Sequence, residues 1–193
     1  MPTEISGSTG VNKIQDGTVV NADINSSAAI AGSKLVMPTG SVIQVVYAAA
    51  GSSNVTVSPS SSSYADGPME ISITPTSTSN KILVFGQQGL RLEFSGVHAR
   101  AGIRVERKIG SGSYDVVWNT ANLREMVQAY DRGTSDAKEF NQEVPFSVLD
   151  TPNTTSALTY KITGGLHNDS NVSSMQMWKG GYGSTITAME IAG

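Results

Sequence analysis

The chain contains no cysteine. Disulfides, thiol catalysis and zinc–thiolate centres are therefore excluded, and stability has to come from burial, helped by oligomerisation. Histidine is scarce. His98 and His167 fall on different expected elements, and neither has a serine and a carboxylate arranged around it, so each reads as a surface or turn residue. Aromatic residues make up 6% of the 193 positions and charged residues 15%. The chain thus lacks both the aromatic supply of a polysaccharide-cleaving groove and the charge of a disordered polypeptide. The formal net charge of −3 argues against a nucleic-acid interface. The strongest basic stretch, Arg100, Arg104, Arg107 and Lys108, is interrupted by Glu106 and reads as one exposed strand face. The longest apolar run, Val42 to Ala50, contains Gln44 and is too short to cross a bilayer, so no membrane insertion is expected. Met1–Gly10 is polar, so no secretory leader is expected and synthesis in a cytosol is.

What fills the space is Ser, Thr, Asn and Gly, and they dominate the first 38 residues. Between Gly17 and Leu35 single aliphatic residues recur at Val19, Ile24, Ile30 and Leu35, five or six positions apart. A helix face needs apolar residues three and four apart, and a half-buried strand needs them two apart. Neither period fits. Short extended pieces do fit, each offering one aliphatic to a narrow axis that one chain cannot enclose and three copies can. The expectation is an intertwined trimeric stalk over residues 17–38, with Ile14, Val19, Ile24, Ile30 and Leu35 as its contacts. Residues 1–16 precede it as an anchor segment that orders against a partner.

Met37-Pro38-Thr39-Gly40 breaks this zone, and residues 39–193 read as strands. Alternation is clear at Met69, Ile71, Ile73, at Leu90, Leu92, Phe94, and along "STITAMEIA". "AGIRVERKIG" and "SGSYDVVW" flank Gly110–Gly112 and are predicted to pair as a hairpin. Eight to ten short strands with turns between them imply an all-β, antiparallel sandwich of jelly-roll type. One segment departs. Leu123, Met126, Val127 and Tyr130 sit at helical spacing, which allows a short helix or a long loop, and 133–142 continues as a polar excursion. Gly180–Gly183 is glycine-rich without a following Lys-Ser/Thr, so a tight hairpin turn is expected there rather than a phosphate cradle.

Carboxylates cluster at Asp131, Asp136, Glu139 and Glu143. They would suit glycoside hydrolysis only if two of them faced one another across a groove, and a solvated loop is the plainer reading. His167–Asp169 lacks a spaced partner motif, so no metal and no cofactor is expected. Trp118 and Trp178 read as caps of the core. Tyr130 and Tyr182 read as rings free to contact a partner.

Three phrases carry a family resemblance: "SSYADGPMEISITPTSTSNKILV" (62–84), "PFSVLDTPNTTSALTYKI" (145–162) and the final "STITAMEIAG" (184–193). They resemble the C-terminal domains of bacteriophage tail-fibre and related virion proteins, especially from marine and cyanobacterial phages. "VNADINSSAAIAGSKL" resembles the Ala/Asp/Ile repeats of fibre shafts. The resemblance implies a homotrimeric, non-enzymatic virion subunit, assembled in the host cytoplasm and incorporated into a particle appendage. The N-terminal segment would dock on another virion protein, and a β-sandwich knob would contact a host surface glycan or protein. Tyr130, Asp131, Arg132 and Tyr182 are the candidate receptor-contact residues. The competing expectation is a carbohydrate-binding adhesin module.

Overall fold

Alternating β-branched and polar residues, punctuated by Gly, Pro, Asn and Ser, produce strands. The computed structural model contains no helix among the residues that it describes, which are Ser27 and residues 35–49, 54–57, 64–95, 98–119, 127–130, 136–166, 172–178 and 183–193. The chain divides into two units, Met1–Val36 and Met37–Gly193. Of the expected stalk contacts, Ile14, Val19, Ile24 and Ile30 lie outside the described residues, and Leu35 is exposed.

The second unit is built on two long central strands. In the first sheet, β4 (Lys81–Ser95) pairs along one whole edge with β8 (Ala137–Asp150). Its other edge is shared end to end by β11 (Thr185–Ile191), opposite Lys81–Gln87, and β10 (Val172–Trp178), opposite Gly89–Phe94. Beyond these lie β1 (Val42–Ala49) on β11 and β2 (Val55–Val57) on β10. In the second sheet, β5 (His98–Ile109) pairs on one side with β9 (Leu158–Leu166), which pairs in turn with β3 (Ala65–Ile73). On its other side it takes β6 (Tyr114–Trp118) and β7 (Val127–Tyr130), again end to end.

Counting end-to-end pieces as one lane, each sheet has four lanes, and every pairing is antiparallel. Numbered along the chain, the lanes run 1-8-3-6 in the first sheet and 2-7-4-5 in the second. That order is the jelly roll, two Greek keys wound into a sandwich. The expected fold class is thus observed for the sandwich. The predicted hairpin is present as well, with Gly110 at φ +54° in the turn, a conformation that favours glycine.

The core lies between the sheets. Ile82, Val84, Leu90 and Leu92 of β4 meet Ile103 and Val105 of β5, Leu158 and Ile162 of β9, and Met175 and Met177 of β10. Fully burying such a side chain contributes about 1.5–3 kcal/mol. One polar clasp crosses this interior. Arg107 of β5 points inward, and its Nη1 lies 2.8 Å from both carboxylate oxygens of Asp150 at the end of β8. The Tyr160 hydroxyl on β9 donates to Asp150 at 2.7 Å. Burial, with Asp150 adjacent, pushes the Tyr160 hydroxyl above its ordinary pKa.

Four local expectations are revised. Val127–Tyr130 is a strand with strictly alternating burial, so the helical spacing does not continue through it; residues 120–126 lie outside the described set. The polar stretch up to 142 is no excursion from Ala137 onward, because it is the first part of β8. A charged edge strand solvates both faces and therefore mimics a loop in sequence. The strands flanking Gly180–Gly183 do not pair with each other; they follow one another along β4. Arg107 does not share the exposed face of Arg104 and Lys108, since it turns inward to Asp150.

Candidate interaction surfaces

The two ends of the sandwich differ. At the proximal end, where Met37–Ser41 leads into β1, the backbone is stitched to the C-terminus. Gly40 N–H donates to Ala192 O at 2.8 Å, and Ala192 N–H donates to Ser41 O at 2.9 Å. Beneath this lies Glu190 of β11, fully buried. Its carboxylate accepts from Asn80 Nδ2, Gln44 Nε2 and Thr76 N–H, each at 2.6 Å, and from the Thr76 hydroxyl at 2.9 Å. Burial alone would raise its pKa, but the donors from Asn80, Gln44 and Thr76 outweigh it and hold the group below 4.5. Asn80 Oδ1 also accepts from Gly193 N–H at 3.1 Å. Glu190 was legible only as one polar position in an apolar alternation, with nothing to announce a buried hub.

At the distal end Tyr130 is 69% exposed and its ring lies 6.0 Å from His98, its partner across β5 and β7. The candidate contact residues Asp131, Arg132 and Tyr182 lie outside the described set, as do His167, Asp131's neighbours to 135 and the side chain of Trp178. Trp118 is half-buried, with its ring 6.5 Å from Phe146. Between β7 and β8 runs a groove of about 260 Å³ lined by Val127, Gln128, Phe140, Gln142, Glu143, Val144 and Pro145.

Among the described residues, Glu139 and Glu143 do not face one another across that groove. Glu139 and Glu143 point the same way along one strand, four residues and so roughly 13 Å apart. Glu139 forms an ion pair with Arg91, which also holds Glu93 at 2.7 Å. Asp136 is exposed. Among the described residues no cluster of three His, Asp or Glu side chains is arranged to hold a metal ion.

The outer faces of the two sheets contrast more sharply. On the second sheet the cross-strand row is Glu70–Lys161–Glu106. Lys161 Nζ is 2.5 Å from Asp66 and 3.5 Å from Glu106, and lies 3.8 Å above the Tyr114 ring. Glu106 is also paired with Arg104, whose guanidinium lies 4.1 Å over the Tyr64 ring and whose Nε donates to Thr163 at 3.1 Å. Tyr114 donates to Glu70 at 3.0 Å; burial first, then this bond and the surrounding carboxylates, push its hydroxyl up to about 12. This face answers its own charges.

On the first sheet the outer rows change along the strands. Near the proximal end one row reads Val45–Met189–Leu83–Leu149 and the next Tyr47–Thr187–Phe85–Ser147. Val45, Tyr47 and Leu149 are 52%, 64% and 55% exposed. Toward the distal end the rows become Gln176–Arg91–Asn141 and Ser174–Glu93–Glu139. The first pair of rows is uncharged and largely apolar, and the second is polar and charged.

No family model matches the chain, and no curated protein matches it. Among solved structures it is similar to the infectious bursal disease virus VP2 subviral particle, at 13% identity and a TM-score of 0.40, over 78% of this chain and 33% of that one. It is also similar to the structure of the Gx strain of the same virus, at 14% identity and a TM-score of 0.32, over 81% and 32%. The chain thus spans about a third of the length of the proteins it matches.

Proposed function

We propose that the protein is a structural subunit of a virion appendage, a homotrimeric fibre whose jelly-roll knob is held at its proximal end and faces outward at its distal end. One observation carries this reading: the three phrases that resemble fibre proteins fold together. Residues 62–84 supply β3 and the start of β4, residues 145–162 the last part of β8 and the start of β9, and residues 184–193 supply β11. They pair laterally at Ile71↔Tyr160, Leu83↔Leu149 and Met189↔Leu83. The Glu190 hub is built from the first and third of these phrases and Gln44. A shared assembly end and an individual distal end suit a fibre whose base must fit its particle and whose tip must fit its host.

On this reading no catalysis is needed, and the N-terminal segment docks on another virion protein. His98 and Tyr130 stand at the tip, and threefold avidity lets weak tip contacts hold a cell. The groove beside β7, with the amides of Gln128 and Gln142 next to Phe140, favours a host glycan as what the tip meets, which retains the adhesin as the second reading. Antibody raised against the chain is expected to decorate an appendage of the source particle in electron micrographs. Its failure to label particles that contain every other structural protein overturns the proposal.

A further inference from the structure

We propose that the proximal half of the first sheet's outer face is the surface by which three copies of this chain meet, the β1 edge of each copy lying against the β8 edge of the next. The assignment rests on the trimeric reading above and goes beyond it by naming the face and the pairing of edges.

Three observations lead to it. The first is chemistry. In the rows of Val45 and Tyr47 every outward residue is uncharged, and Val45, Met189, Leu83, Phe85 and Leu149 are apolar; Lys81, opposite Ile191, is exposed at the proximal rim beyond them. Identical copies therefore meet there without like-charge repulsion, whereas the distal rows carry Arg91, Glu93 and Glu139.

The second is the state of the edges. Exposed edge strands ordinarily protect themselves with Lys, Pro, short length or inward charges. The eight-residue β1 contains no charge and no proline. In β8, Lys138, Glu139 and Glu143 guard the distal half, but beyond Pro145 the strand reads Phe-Ser-Val-Leu until Asp150, which is turned inward to Arg107. Among the described residues no strand pairs with the outer edge of either. The edges are unguarded on the same half that is apolar.

The third is the distribution of exposure. Within these two rows the most open side chains sit at the two margins, Val45 and Tyr47 on β1 and Leu149 on β8, while Leu83, Phe85 and Met189 between them are already half-buried. Edge to edge, a twofold axis sets β1 on β1 or β8 on β8 and leaves the other margin uncovered. A closed threefold ring sets each β1 margin on a β8 margin, so that opposite edges complete one another. The face spans four lanes, so a sheet of the same width, as a sister copy offers, covers it.

The natural absence of cysteine makes the test direct. In the full chain, Val45→Cys and Leu149→Cys are introduced singly and together and treated with a short bismaleimide. The double variant is expected to give covalent trimers on a denaturing gel. Each single variant gives none, and neither does a control pair on the second sheet, Ser72→Cys with Val116→Cys. A wild-type trimer whose double variant links no better than the control overturns the assignment of the face and leaves the fibre reading standing. Covalent dimers from either single variant overturn the threefold arrangement. A wild-type protein that stays a single chain at every concentration overturns both readings. Leu149→Glu, with an unchanged circular dichroism spectrum, is expected to lower the solution mass to that of one chain.

Discussion

The two outer faces of the sandwich use the same lattice for opposite ends. On the second sheet, Glu70, Lys161 and Glu106 stand in one row, flanked by Arg104, Asp66 and the rings of Tyr64 and Tyr114, and each charge has a neighbour to answer it. On the first sheet, Val45, Met189, Leu83 and Leu149 stand in a matching row and have only one another. A charged row satisfies itself laterally, because ion pairs and cation–π contacts form within the sheet plane. An apolar row cannot, since its stabilisation comes from leaving water, and that takes a second surface. The lesson is that the more polar face is the finished one.

The comparison is broken most severely at the clasp that keeps the faces opposed. Asp150→Ala leaves the half-buried Arg107 without its carboxylate and removes the acceptor of the buried Tyr160 hydroxyl. Losing one partner of a fully buried pair costs about 3–5 kcal/mol; this pair is partly open and also loses the Tyr160 bond, so about 3 kcal/mol is expected, read as a downward shift in urea unfolding. Next comes the proximal hub. Glu190→Ala strands Asn80, Gln44 and Thr76 and is expected to cost about 2–3 kcal/mol. Because the carboxyl is held below 4.5 in the fold, its contribution is present above that pH and is lost as pH falls through the depressed value. Glu190→Gln is therefore expected to flatten the acid limb of a stability–pH curve, which repeated denaturant titrations measure. Smallest is Tyr114→Phe on the self-satisfied face, where one exposed bond to Glu70 is lost at about 0.5 kcal/mol. With the hydroxyl pushed up to about 12, its share is present below the ordinary 10 and fades as pH rises through 12. The variant is expected to lack that alkaline decline while its solution mass is unchanged.

Much of the fold was legible because strands announce their inner face. Met69, Ile71 and Ile73, and Leu90, Leu92 and Phe94, alternate with polar residues, and the structure buries each of them. The Gly110 turn was legible because its conformation favours glycine. "STITAMEIA" was legible as a strand but not as to its faces. Ile186 and Ala188 point in with Glu190, while Met189 and Ile191 point out, and both sets look apolar in sequence. The apolar outer face was hidden for the same reason, since its members sit on four strands far apart in the chain and only the register aligns them. Val127–Tyr130 misled because four residues are too few to separate a period of two from one of 3.6. The ion pair of Arg107 with Asp150 depends on which sheet lies opposite, and that of Glu106 with Lys161 on which strand lies alongside, information carried by topology and not by spacing. Of the candidate contact residues, Tyr130 alone lies within the described set, and it is exposed at the distal end.

The central claim is that the unfinished face is finished by sister chains, and the solution mass of the full protein tests it most directly. Sedimentation equilibrium over a wide concentration range is predicted to give the mass of three chains for the wild type, against 20.2 kDa for one, and to give the mass of one for Leu149→Glu. A wild-type mass of 20.2 kDa at every concentration would contradict the account.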